Sequence, residues 1–331
     1  MNNSGKFVIS LDFELLWGMR DKLSIDDYGD NILGVWEVMP RLLELFKEFN
    51  VGATFATVGF LFASSKEEIQ QYIPLVKPNY KDKNLSPYNG HFEGVKATED
   101  EDKYHFGSEL IELLKTYPDN EIATHTFSHY YCNAEGQTID EFNEDMKAAV
   151  AIASDKGVTL NSLIFPRNMF NQDYIKVCED NGIKCYRGNE DLWFQRRKTS
   201  SKLVRKGRRA LRLLNSYVNV SGHHCYKVET LAKTYPYNVP SSRFLRAHAP
   251  SLKLFDGLRK QRICKSMTYA AKHNLMYHLW WHPHNFGSHL EENLAFLRSI
   301  LEHYKTLNKT YGFSSITMGN LANQMDKNLD G

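Results

Sequence analysis

Residues 6–15 read Lys-Phe-Val-Ile-Ser-Leu-Asp-Phe-Glu-Leu, an apolar run that meets two carboxylates at its far end. Such a run reads as a buried strand. Side chains alternate along a strand, so Asp12 and Glu14 share one face and Leu11 and Phe13 take the other. Two neighbouring carboxylates at a strand end are costly unless a cation or an arginine holds them. Working outward, strand and helix alternate. Pro40 opens a helical stretch ending before Val51, and VGATFAT (51–57) reads as a second strand. Helices follow at 106–115, 138–156, 173–181, 254–273, 290–311 and from Ser315, with strands at 121–124, 162–165, 183–187 and 275–280. Thr138 and Glu141 form a capping box for the second of these helices. The recurrence predicts a mostly parallel sheet, closed or doubly wound. Asp12 and Glu14, His125, Arg167 and His282 each fall at or just past a strand end, as in a barrel whose chemistry gathers on one rim. The expected fold class is α/β, a distorted (β/α) barrel forming a single domain over 1–331, with a basic, largely helical insertion at about 194–275.

The composition is that of a globular protein: 42% hydrophobic, 24% charged, formal net charge +2, which excludes disordered and collagen-like classes. Near-neutral charge gives no whole-protein pull toward nucleic acid, and no nucleic-acid partner is expected. The five scattered cysteines, Cys132, Cys178, Cys185, Cys225 and Cys264, fit neither a disulfide framework nor a cysteine zinc site. No signal-like or membrane-spanning apolar stretch is present, so the expected location is the cytoplasm.

His125-Thr-Phe-Ser-His129 places two histidines at i and i+4, which on one face of a helical turn reach a single metal ion. A nearby carboxylate would complete a two-histidine, one-carboxylate site. With Ser10-Leu-Asp-Phe-Glu14, this pattern resembles the NodB-type polysaccharide deacetylases, carbohydrate esterase family 4. The HTFSH segment matches the family's H-[ST]-x-x-H motif without exception. SLDFE departs from the first motif, because Phe13 stands where the metal-binding aspartate would be. The resemblance therefore gives the base role to Asp12 and the ligand role to Glu14, a DxE variant whose two roles could be inverted. Phe165-Pro-Arg-Asn-Met-Phe170 approximates the third motif, with Arg167 to hold the base and the backbone near Phe170 to face an oxyanion. Arg187-Gly-Asn-Glu-Asp-Leu-Trp193 approximates the fourth, leaving Glu190 and Asp191 as alternatives for tuning the histidine and Trp193 against the substrate. Leu279-Trp-Trp-His282 fits the fifth; His282 would be the general acid, and His284 competes for that role.

The resemblance implies hydrolysis of an acetamido group on an amino sugar, with a divalent metal, Zn2+ first and Co2+, Ni2+ or Mn2+ as alternatives, on Glu14, His125 and His129. A deformylase or ring-amide hydrolase on the same scaffold, and a carbohydrate-binding relic without turnover, are the competing readings. Between Arg196 and Arg212 the chain holds nine Lys or Arg and no acid, interleaved with Leu203, Val204 and Leu211. Such a strip fits an amphipathic helix on an anionic membrane or a seat for pyrophosphate. Both suit a nucleotide- or lipid-carrier-linked amino sugar in surface polysaccharide (O-antigen or capsule-type) biosynthesis, with peripheral contact at the inner membrane face through 196–214. A solvated helix with fortuitous charge is the plain alternative.

Overall fold

The computed structural model describes residues 4–192 and 201–329. Its strands are β1 (Lys6–Phe13), β2 (Thr54–Thr57), β3 (Glu121–Thr124), β4 (Ser162–Leu163), β5 (Cys185–Tyr186), β6 (Tyr237–Asn238), β7 (Arg243–Phe244), β8 (Met276–Trp281) and β9 (Ser314–Ser315). All pair in parallel, in the order β6-β5-β4-β3-β2-β1-β8-β7, with β9 beside the start of β1. The helices are α1 (Ile25–Leu33), α2 (Val35–Phe49), α3 (Lys66–Tyr72), α4 (Ser108–Lys115), α5 (Ile139–Asp155), α6 (Ile175–Asp180), α7 (Lys202–Asn215), α8 (Val228–Leu231), α9 (Asp256–Lys272), α10 (Leu290–Tyr311) and α11 (Met318–Leu329).

The α/β class and the curled parallel sheet are as expected. The two outer strands of the order, β6 and β7, are four residues apart in the chain, so one extended segment joins the sheet's edges. Val239 and Ser241 donate their N–H groups to Tyr186 of β5 and to Gly188 just after it, while Ser242 and Leu245 donate to His278 and Trp280 of β8. These strands and α9 lie inside the stretch 194–275 assigned to an insertion. What lies outside the strand–helix repeat is thus shorter, centred on α7 and α8. β6 and β7 carry little local alternation, because their ladder bonds come from partners about fifty residues before and thirty-five after.

β1 shows how sequence places the site. Phe7, Ile9, Leu11 and Phe13 pack under the surrounding helices, whereas Val8 joins Ala56, Ala123, Ile164, Cys185 and Met276 in a second apolar cluster. Met318, Leu321, Ala322 and Met325 of α11 belong to that second cluster and close its far end. Along β1 the same face therefore turns from apolar at Val8 to polar at Ser10, Asp12 and then Glu14. α2 starts at Val35 rather than at Pro40, which lies inside the helix. Buried Val35, Val38 and Met39 extend its apolar stripe backward, and their burial outweighs the backbone donor and turn geometry that Pro40 disturbs.

Candidate metal centre and active rim

Glu14 follows the last residue of β1 and stands at the start of a short 3-10 turn. Its Oε2 lies 3.2 Å from His125 Nε2 and 3.1 Å from His129 Nε2, all three side chains being buried. The two histidines do not share a helical turn, as their spacing suggested. Residues 125–130 form an irregular loop in which Thr126 (φ 66) and His129 (φ 57) are left-handed, which no helix tolerates. A left-handed threonine is a strained conformation that surrounding contacts must impose. Here Asp145, buried on α5, accepts the N–H groups of Phe127 and Ser128 at 2.8 and 3.2 Å, and the Ser128 hydroxyl as well. Thr126 Oγ1 accepts the Tyr130 N–H at 2.7 Å. Gly18 is equally constrained, since a Cβ there would meet the Glu14 carboxylate at 2.0 Å.

The donor set fits a divalent cation. One carboxylate oxygen faces two imidazole nitrogens in a buried site, and both nitrogens of His125 and the Nδ1 of His129 lack a hydrogen-bond partner among the described residues. Burial presses His129 down to about 3 despite Glu14, so it is neutral and ready to ligate. Burial alone would raise the Glu14 carboxyl; His282, His125 and His129 together hold it well below the usual range. Glu14, His282 and His284 form a second group of donors on the other side of the same carboxylate.

Asp12 is the neighbouring carboxylate, and its guanidinium partner is Arg187, not Arg167. Arg187 Nη1 and Nη2 each stand 2.7 Å from an Asp12 oxygen, in a pair with almost no exposure. Arg187 also donates to Ser10 Oγ and Asn168 Oδ1, and its guanidinium lies 4.2 Å from the centre of the Trp280 ring. Arg167 pairs instead with Asp21 at 2.5 Å, its guanidinium 4.3 Å from the Tyr131 ring centre. The reason is backbone geometry: Arg167 (φ 57) and Asn168 (φ 53) make a left-handed turn. Asn168 is thereby brought to Arg187, and Arg167 lies over Tyr131. Burial acts to raise Asp12, but Arg187, His282 and His125 outweigh it and keep the carboxylate ionised.

His282 is partly exposed; its Nε2 is 3.6 Å from Asp12 Oδ2 and 3.7 Å from Glu14 Oε1, and its Nδ1 donates to Asn285 Oδ1. Its orienting partner among the described residues is Asn285. His284 stacks on it with ring centres 4.8 Å apart, fully enclosed and pressed down to about 3 by burial and by His282. Phe170 packs against Phe165 and Tyr186, and its carbonyl accepts from Asn133. Trp193 lies outside the described residues. Arg187, Asn168, Asp145, Gly18 and Asn285 were not singled out for these roles. Asp145 had a signal: it is a carboxylate on the same helical face as Phe142, Met146 and Ala149.

No protein-family model matches the chain, and neither does any curated protein. Among solved structures, the chain is similar over 99% of its length to a candidate polysaccharide deacetylase from Mycobacterium smegmatis, covering 92% of that chain, with TM-score 0.62 and 14% identity. A candidate polysaccharide deacetylase from Pseudomonas aeruginosa PAO1 matches 98% of this chain and 92% of its own at TM-score 0.54 and 11% identity. The 4-alpha-glucanotransferase of Thermococcus litoralis matches 97% of this chain and 40% of its own at TM-score 0.51 and 9% identity. The fold is that of the polysaccharide deacetylases. It is shared with a protein named for a different reaction, so chemistry has to be argued from the site.

Proposed function

We propose that the chain is a metal-dependent hydrolase that removes the N-acetyl group of an amino sugar. The observation that carries this reading is Glu14 Oε2 placed between two buried histidines, beside an ionised Asp12 and within reach of His282. A divalent cation, Zn2+ by donor type, would be held by Glu14, His125 and His129; when bound it polarises the amide carbonyl and acidifies water. Asp12, fixed by both Arg187 nitrogens, accepts the proton of the attacking water. His282, with Nδ1 committed to Asn285, presents Nε2 to the departing nitrogen and protonates it. His284 is enclosed and kept neutral, which favours His282 as the acid. Arg167 enters as a substrate-facing group rather than as the partner of the base, and the backbone near Phe170 faces the oxyanion. The products are acetate and a free amino sugar.

In the same reading the sugar is carried on a nucleotide or a lipid during surface polysaccharide synthesis, and α7 touches the inner face of an anionic membrane. The test is Asp12→Asn with metal and product measured together. Metal content should match the wild type while acetate release falls at least a hundredfold, as expected for loss of a general base. Turnover within a few fold of wild type would refute the base assignment, and formate instead of acetate would refute the acetyl group.

A further inference from the structure

A cavity of 530 Å³ opens directly beside His282 and Trp280, within the size range of roughly 300–1,000 Å³ usual for ligand sites. Four arginines line it: Arg209 and Arg212 from α7, Arg243 from β7 and Arg246 just beyond. Arg243 is only 6% exposed; Nη1 donates to the Asn215 carbonyl at 2.9 Å, while Nε and Nη2 are buried without a partner among the described residues. Arg246 is half-buried and anchored by Nε on Ser216 Oγ at 2.9 Å. A buried guanidinium with two idle donors, next to three like charges, is costly unless an anion arrives. The Trp280 Nε1 is also buried, and it has no partner among the described residues. Glu190 is the one acid among the described lining residues, and burial raises its carboxyl to about 7 even though Arg243 and Arg187 act the other way. It therefore leaves most of the arginine charge uncompensated.

We propose that this cavity seats a phosphoryl or pyrophosphoryl group carried by the amino sugar, so that the substrate is an anionic, carrier-linked sugar and not a neutral polymer. The inference rests on the deacetylase reading only for where the sugar ring lies, between His282 and the arginines. Planar guanidinium forks suit phosphate oxygens, and Arg243 and Arg246, held by Asn215 and Ser216, are pre-positioned for them. α7 thereby has two separate basic groups: Arg209 and Arg212 turned to the cavity, and Arg205, Lys206 and Arg208 outside the set that lines it.

Inorganic pyrophosphate titrated by calorimetry into the metal-loaded chain tests this without requiring turnover. The wild type should bind it, and both Arg243→Gln and the double variant Arg209→Gln/Arg212→Gln should bind at least tenfold more weakly. The double variant changes exposed side chains and guards against misfolding of the first. No binding by the wild type, or equal binding by all three as would occur if the anion sat on the metal, overturns the proposal. Uridine-diphosphate-N-acetylglucosamine and a detergent-dispersed prenyl-pyrophosphate-N-acetylglucosamine are then used as competitors. Displacement by one names the carrier; displacement by neither, or equally well by free N-acetylglucosamine, also overturns it. A chain that binds pyrophosphate through the arginines yet releases no acetate would retain the anion seat and remove the deacetylase reading.

Discussion

His278 lies on the inner face of β8 with Nε2 2.8 Å from Ser10 Oγ, and Ser10 in turn accepts from Arg187. Burial presses the imidazole down to about 3, with Arg187 adding to the effect. The folded chain thus holds His278 neutral, while the unfolded chain protonates it below about 6.5. Between those values the unfolded state binds more protons, so stability rises with pH and is lost as pH falls from about 6.5 toward 3. The slope from this one group approaches about 1.4 kcal/mol per pH unit in that window. Thermal midpoints recorded from pH 7 to pH 4 should fall more steeply for wild type than for His278→Gln. Parallel curves would exclude His278 as a source of acid sensitivity.

Two elements act on the site from behind. The loop from His125 to Tyr130 is neither helix nor strand; its backbone bonds to Thr57, Gly59 and Phe60 on one side, and α5 holds it from the other through Asp145. Burial raises the Asp145 carboxyl to about 6, with the Ser128 hydroxyl and the Phe127 and Ser128 N–H groups opposing. Asp145→Ala would leave those donors buried and unsatisfied, at a cost of about 2–4 kcal/mol. It should also loosen the left-handed turns that aim His129, so zinc affinity should fall at least tenfold together with the thermal midpoint. Unchanged zinc affinity in a folded variant would show that the loop geometry stands without α5. At the opposite end, Glu121 accepts the Gly319 N–H and the hydroxyls of Thr54 and Ser162. These contacts tie the first turn of α11 to the bottom of the sheet.

Over the whole molecule, the exposed face contributed by α7 and by the start of α9 with the turn before it is apolar and basic together. Leu203, Val204, Leu214 and Val218 are exposed on and after α7, and Leu254, Phe255 and Leu258 before and within α9. The Tyr217 and Phe255 rings meet at 6.0 Å, which joins the two patches. No helix among the described residues is long and apolar enough to cross a membrane. Surface contact is a different matter, since each basic residue near an anionic bilayer contributes about 1 kcal/mol. The chain should sediment with phosphatidylglycerol vesicles at low salt. Neutralising Arg205, Lys206 and Arg208 should weaken that binding by about a hundredfold, the equivalent of about 3 kcal/mol. Equal binding to neutral vesicles, or none to anionic ones, would remove the membrane contact.

Sequence by itself determined the α/β alternation, the buried first strand and the shared face of Asp12 and Glu14. These follow from periods of two and 3.6 residues, which are local properties of the backbone. The i, i+4 spacing also brought His125 and His129 forward, and the family resemblance added Glu14, although the helical turn expected beneath the histidines is a strained loop. Only tertiary structure decided that Arg187 rather than Arg167 holds Asp12. That choice depends on a left-handed turn at Arg167 and Asn168 and on the position of β5 in the sheet. Tertiary structure likewise decided that the stretch after Trp193 supplies β6 and β7, and that Arg243 meets Arg209 and Arg212 around one cavity. Each of these is a meeting of residues far apart in the chain, fixed by strand order and packing, and no pattern within a single segment encodes it.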